Sequence, residues 1–93
     1  MDPEISIIST EKTEDGWECI VEVKGNDAQT QHTVLVSRDF LERFSFDGPE
    51  EMVRASFRFF LEREPKEEIL PMFDLSEISQ HFPEYEKQIE LYV

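Results

Sequence analysis

The segment from residue 49 to residue 63, "PEEMVRASFRFFLER", is the feature that most constrains the fold of this chain. Its spacing predicts a helix with a polar stripe formed by Glu51, Arg54, Arg58 and Glu62, in which Glu51 can pair with Arg54 and Arg58 with Glu62. The remaining positions are apolar on two sides: Val53, Phe57, Phe60 and Leu61 on the first, and Met52, Ala55 and Phe59 on the second. A helix that is apolar on two sides needs two covers.

Three predicted strands supply the first cover. They are the Ile-rich "EISIIS" (residues 4–9), the alternating "WECIVEV" (17–23) and "HTVLV" (32–36). "TEDG" joins the first two with Gly16 in a left-handed conformation, and a polar turn at residues 24–29 joins the next two. Because such short connections make neighbouring strands antiparallel, we predict one α+β domain over residues 1–93. It is a three-stranded antiparallel meander packed on one face by the main helix and short C-terminal helices.

The C-terminal third can supply the second cover. Pro65 ends the main helix, "EEILPMF" is predicted to be a connector, and Asp74 in "DLSE" is predicted to cap a short helix. If this segment folds back, the residues that cover the helix are Phe73, Leu75, Ile78 and Phe82, with Tyr85, Ile89 and Leu91 as later anchors. If it does not, Met52, Ala55 and Phe59 form a candidate partner-contact patch that would draw in a second subunit. We expect folding back and a monomer, with a homodimer as the alternative.

The formal net charge of −13 limits the classes of partner. Nucleic acid and anionic membranes carry phosphate charge and are disfavoured, which leaves a protein partner. All five arginines lie in residues 30–63, so only the middle of the chain is close to neutral. The chain has a single cysteine and no apolar run of 18 residues, and "MDPEISIIST" lacks the layout of a signal peptide, so we expect a cytoplasmic protein.

The residue types that carry catalysis or bind cofactors are sparse. Cys19 alternates with apolar residues and is predicted to be a small buried side chain without a paired base. His32 and His81 lack metal-ligand spacing and are predicted at the surface or rim. The three glycines fall in turns, which gives no phosphate-binding loop. We therefore expect no enzyme, no cofactor, and no catalytic or metal-binding residue.

Two stretches of the chain resemble known families. Residues 31–63 resemble a ribbon-helix-helix protomer in the order of strand, short helix, loop and longer helix. In that family the strand comes first and pairs with a second subunit, whereas here two predicted strands precede it. In that family the start of the second helix also binds a DNA phosphate, whereas "DGPEE" places three carboxylates there.

Residues 57–89 are similar to a family of small bacterial proteins of unassigned function with the signature "FLL.REP..SIL..FDL..I..YFPEYE". This chain differs in having Glu68 before "IL" and His81 before Phe82. The resemblance implies a small α+β fold and brings no activity or site residue.

These features predict a non-enzymatic, acidic protein-binding or accessory module. The alternatives are a ribbon-helix-helix-like DNA-binding regulator and an acidic inhibitor that imitates nucleic acid.

Overall fold

A computed structural model describes residues 3–25 and 28–92, apart from the side chain of Ser79. Asn26 and Asp27, in the predicted turn at residues 24–29, lie outside the described residues. The strands are β1 (Glu4–Lys12), β2 (Gly16–Lys24), β3 (Gln29–Ser37) and β4 (Met72–Asp74). The α-helices are α1 (Arg38–Leu41), α2 (Pro49–Leu61), α3 (Ile78–His81) and α4 (Tyr85–Gln88). Short 3₁₀ helices span Lys66–Glu68, Leu75–Glu77 and Ile89–Tyr92.

The sheet has four strands in the order β1-β2-β3-β4. The α+β class is confirmed, and β1, β2 and β3 pair antiparallel in sequence order. The three-stranded description is wrong, because part of the predicted connector "EEILPMF" forms β4, which pairs parallel to β3 with Val34 opposite Phe73. A parallel pair needs a crossover connection, and the chain between β3 and β4 contains α1 and α2. The strand prediction missed β4 because only three residues pair.

The inner face of the sheet packs against α2. On β2 the buried residues are Cys19, Val21 and Val23, which confirms the predicted alternation and the buried Cys19. On β3 the buried residues are His32, Val34 and Val36. From α2, Val53 and Phe57 are fully buried in the same core. The first predicted cover of the main helix is therefore present.

The C-terminal segment forms the second cover of α2, which confirms the predicted folding back. The Phe59 ring lies 5.3 Å from the Tyr85 ring and 5.7 Å from the Phe82 ring, measured between centroids. The Phe60 ring lies 5.8 Å from that of Phe73. These edge-to-face ring contacts join α2 to residues of the C-terminal segment, which come after the chain has reversed direction.

The prediction that Leu91 anchors the C-terminal segment is wrong, since its side chain is 81% exposed. Tyr92 packs in its place, with its ring centroid 5.6 Å from that of Phe59. The cause is the 3₁₀ geometry of Ile89–Tyr92. Because that helix has three residues per turn, Ile89 and Tyr92 share one side and Leu91 faces solvent.

The two ion pairs predicted along the polar stripe of α2 do not form. No carboxylate oxygen of Glu51 lies within 4.0 Å of Arg54, and none of Glu62 lies within 4.0 Å of Arg58. Instead Glu51 accepts a hydrogen bond at 3.0 Å from the amide of Asp47, the residue before the N-cap of α2. Arg54 donates to the Ile5 carbonyl at 2.7 Å. Glu51 and Arg54 are therefore bonded to backbone groups and not to each other.

The left-handed conformation predicted for Gly16 is also wrong, because no described glycine has a positive φ. Gly16 lies opposite Ser37 in the β2–β3 ladder. A Cβ atom at this position would lie 1.9 Å from the Val36 carbonyl oxygen. Glycine is therefore required here by the close approach of the β3 backbone.

We expect Gly16→Ala to lower the free energy of unfolding by about 1–3 kcal/mol, the usual range for forced overpacking. Gly48→Ala is the matched control, because a Cβ there would meet nothing within 4 Å. Gly48 is the N-cap of α2, so its loss should cost less than about 1 kcal/mol. Urea denaturation of both variants would measure the difference. Equal costs would contradict the close approach at Gly16.

Candidate functional site

The residues predicted to form a partner-contact patch are not on the surface. Met52, Ala55 and Phe59 are 0%, 1% and 0% exposed. The folded-back C-terminal segment covers Phe59, whose ring contacts those of Tyr85 and Tyr92. In this conformation no partner can reach these three side chains.

A groove lies where the second cover of α2 is incomplete. It has a volume of about 270 Å³ and opens between the end of α2, the 3₁₀ helix at Lys66–Glu68 and α3. The residues that line this aromatic groove are Phe60, Glu64, Glu68, Ile69, Leu70, Phe73, Ile78, His81 and Phe82. An apolar concavity with a few polar groups at its edge is the usual form of a binding site.

The floor and the rim of the aromatic groove come from different local structures. Phe60 belongs to α2 and Phe73 to β4, and both are at least 95% buried, so the fold fixes the floor. Glu64 and Glu68 lie on either side of Pro65, in the short segment that reverses the chain. His81 is the last residue of α3. The rim therefore carries two carboxylates and an imidazole above an apolar floor.

Partial burial in the groove raises the pKa of the Glu64 carboxyl above its ordinary value, and the neighbouring charge of Glu68 adds to this effect. His81 acts in the opposite direction. Burial raises a carboxyl pKa because it disfavours the charged form. The ionised form of Glu64 is therefore disfavoured in the free protein, and a cation in the groove would stabilise it.

His32 is not at the surface as predicted, since it is only 2% exposed. Its Nδ1 lies 2.8 Å from the Leu70 carbonyl oxygen, and its Nε2 lies 2.8 Å from the Thr30 hydroxyl. Its ring packs 5.3 Å from the Phe57 ring. A signal was present in the sequence, because His32 shares its strand face with Val34 and Val36. The buried imidazole holds the chain at Leu70, beside the groove.

Cys19 is enclosed in the core, and burial raises the pKa of its thiol. A buried thiol held in its protonated form is a poor nucleophile and a poor metal ligand. Within residues 3–25 and 28–92, no three His, Cys, Asp or Glu residues are grouped so that they could hold a metal ion. In the same part of the chain, no helix is long and apolar enough to cross a membrane.

Comparisons of this chain with models of protein families, with curated proteins and with solved structures found no match. The similarity of residues 57–89 to small bacterial proteins stays a prediction from the sequence. Sequence reasoning missed the aromatic groove itself, although the apolar pair Ile69–Leu70 inside the acidic run "EREPKEEIL" was a signal for it.

The pKa of Glu64 predicts how its replacement affects stability. A carboxyl whose pKa is raised on folding stabilises the fold below its unfolded pKa, and this contribution is lost as the pH rises through the folded pKa. At about pH 7 the charged form is thus a cost, and we expect Glu64→Gln to raise the thermal midpoint. At a pH below about 4, where Glu64 is largely protonated in both the folded and the unfolded chain, the gain should shrink.

Glu84→Gln is the matched control with the opposite sign. Its own backbone amide and then Arg63, whose Nε lies 3.3 Å away, lower the pKa of Glu84. The stability from such a carboxyl is present above its unfolded pKa and is lost as the pH falls through the folded pKa. Glu84→Gln should therefore lower the midpoint at neutral pH. Shifts of the same sign in both variants would contradict the electrostatics of the rim.

Proposed function

We propose that this chain is a non-enzymatic, acidic protein-binding module. In this proposal the aromatic groove accepts a large apolar side chain from a basic segment of the partner. The observation that carries the proposal is the groove itself, an apolar concavity of about 270 Å³ with carboxylates on its rim. The volume suits one side chain of the size of Leu, Met or Phe, of the kind that anchors protein interfaces.

Exposed apolar side chains beside the groove support a protein partner. Leu70, on the rim, is 54% exposed, and Met72, two residues later on β4, is 60% exposed. Exposed apolar side chains next to a pocket and rimmed by polar groups are typical of interaction surfaces. Because Leu70 is held through its carbonyl by buried His32, its position is fixed before a partner arrives.

Charge supports a basic partner. The rim carries Glu64 and Glu68, and the whole chain has a net charge of −13. Opposite charge on the partner would speed association and select the partner. Bound Lys or Arg would also offset the unfavourable ionisation of Glu64, whose pKa is raised in the free chain.

The ribbon-helix-helix alternative gains no support. Both edges of β3 are occupied, by β2 along the whole strand and by β4 along Thr33–Leu35, so β3 has little free edge for a second subunit. The acidic Glu50 and Glu51 lie in the first turn of α2, where a DNA phosphate would have to bind. The alternative of an acidic inhibitor that imitates nucleic acid has no specific contact in its favour.

We further infer that the protein acts in the cytoplasm as a monomer. The apolar side of α2 that would have required a second subunit is covered within the chain, since Met52 and Phe59 are fully buried. Repulsion between two chains of charge −13 also opposes self-association.

Selection of displayed random peptides on the intact protein tests the proposed function. We expect the selected peptides to share one large apolar residue with Lys or Arg within a few positions. Binding of a selected peptide should weaken about tenfold or more in Leu70→Ser, which removes an apolar wall of the groove, since anchors of this kind contribute more than about 1.4 kcal/mol. Glu68→Gln should weaken it less, and mainly at low salt.

Leu91→Ser is the matched control, because Leu91 is exposed and lies outside the groove. It should leave peptide binding unchanged. Selection of acidic peptides, or equal losses in Leu70→Ser and Leu91→Ser, would contradict the proposal.

A further inference from the structure

A second cleft shares no lining residue with the aromatic groove. It has a volume of about 370 Å³ and opens between the start of β1, the polar stripe of α2 and the C-terminal 3₁₀ helix. The residues that define this arginine cleft include Ile5, Arg54, Arg58, Leu61, Glu62 and Tyr92. None of them lines the aromatic groove.

Each of the two guanidinium groups in the cleft is held by a backbone carbonyl. Arg54 donates from one terminal nitrogen to the Ile5 carbonyl at 2.7 Å, and Arg58 donates in the same way to the Tyr92 carbonyl at 3.0 Å. Within the described part of the chain, neither has a carboxylate oxygen within 4.0 Å. A carbonyl is neutral, so no described partner offsets either positive charge.

This arrangement contrasts with that of other arginines in the same chain. Arg43 pairs with Glu86, and Arg63 pairs with Glu84. Although the chain has 22 acidic residues, Arg54 and Arg58 bond to backbone carbonyls and, among the described residues, to no carboxylate. Glu51 and Glu62, the partners predicted from the helix, are engaged with the Asp47 amide and the Tyr92 hydroxyl.

The free donors suit a carboxylate. A guanidinium carries five N–H donors in a planar fork, and each carbonyl bond uses only part of it. Arg54 and Arg58 are four residues apart, so they lie on the same face of α2 one turn from each other. A carboxylate between them can accept from both, which is the stronger, charge-assisted class of hydrogen bond.

The walls of the cleft select what is attached to that carboxylate. Ile5 and Leu61 are partly buried apolar side chains packed against the core, and the ring of Tyr92 lies beside them. Glu62 also lines the cleft, where its carboxylate accepts a hydrogen bond from the Tyr92 hydroxyl. The chemistry therefore favours a carboxylate that bears an aliphatic group.

We propose that the arginine cleft binds the carboxylate of an aliphatic acid between Arg54 and Arg58, with its hydrocarbon against Ile5 and Leu61. The same chemistry is offered by a free short-chain fatty acid and by a polypeptide that ends in Leu or Val. This site is independent of peptide binding in the aromatic groove.

Titration of the ¹⁵N-labelled full chain with isocaproate, followed by amide and methyl resonances, tests the proposal. We expect saturable shifts at Ile5, Leu61 and the arginine side chains, with a dissociation constant on the order of 1 mM, which is typical of so small a ligand. The neutral amide of isocaproate should not bind. Arg58→Gln should weaken isocaproate binding about tenfold, since a hydrogen bond to a charged group is lost, and Arg58→Lys should restore part of it.

Arg38→Gln is the matched control, because Arg38 lies over the Trp17 ring and does not line the cleft. It should leave binding unchanged, as should Leu70→Ser in the aromatic groove. A short peptide with a free C-terminal Leu, compared with its amidated form, separates the two sources of carboxylate. Tighter binding of the free-acid peptide than of isocaproate assigns the cleft to polypeptide ends, and the reverse order assigns it to fatty acids.

The proposal is overturned if neither isocaproate nor the free-acid peptide produces saturable shifts. It is also overturned if the amides bind as well as the acids, or if Arg38→Gln weakens binding as much as Arg58→Gln.

Discussion

The burial of α2 on two sides is the constraint on which the rest of the structure depends. The sheet covers Val53 and Phe57, and the C-terminal segment covers Phe59 and Phe60 through ring contacts with Phe82 and Tyr85. A helix with this much apolar surface is stable only when both sides are removed from water. The hydroxyl pair between Ser56 and Tyr85, 2.6 Å apart and buried, ties the second cover to the helix at its centre.

Both candidate sites arise where the second cover ends. The aromatic groove forms because the short elements after Pro65 cover the end of α2 incompletely and leave a gap above Phe60 and Phe73. The arginine cleft forms because Arg54 and Arg58 turn to backbone carbonyls of β1 and the C-terminal 3₁₀ helix, away from the carboxylates of their own helix. The aromatic groove thus presents carboxylates over an apolar floor, and the arginine cleft presents guanidinium groups beside an apolar wall.

The sequence predicted what depends on spacing within one element. The alternation on β2, the cap at Asp74 and the buried Cys19 were readable, because each is fixed by residues a few positions apart. The two apolar sides of α2 were readable too, except that Phe60, predicted on the first side, contacts the C-terminal segment. β4 was missed because its three residues pair with a strand 39 positions earlier, which no local pattern records. His32 was misplaced because its partner is the Leu70 carbonyl. The groove was missed for the same reason, since its lining comes from four separate elements brought together only by the fold.

The most direct test of the two-sided burial of α2 is the free energy of unfolding of Ser56→Ala compared with Tyr85→Phe. The Ser56 hydroxyl donates to the Met52 carbonyl at 2.7 Å, so Tyr85 must donate to Ser56. Ser56→Ala leaves the buried Tyr85 hydroxyl without an acceptor and should cost about 1–3 kcal/mol. Tyr85→Phe leaves Ser56 bonded and should cost less, and the double variant should resemble Tyr85→Phe alone. If Ser56→Ala costs under about 0.5 kcal/mol, as a surface substitution would, the Tyr85 hydroxyl is in water and the C-terminal segment does not cover the helix.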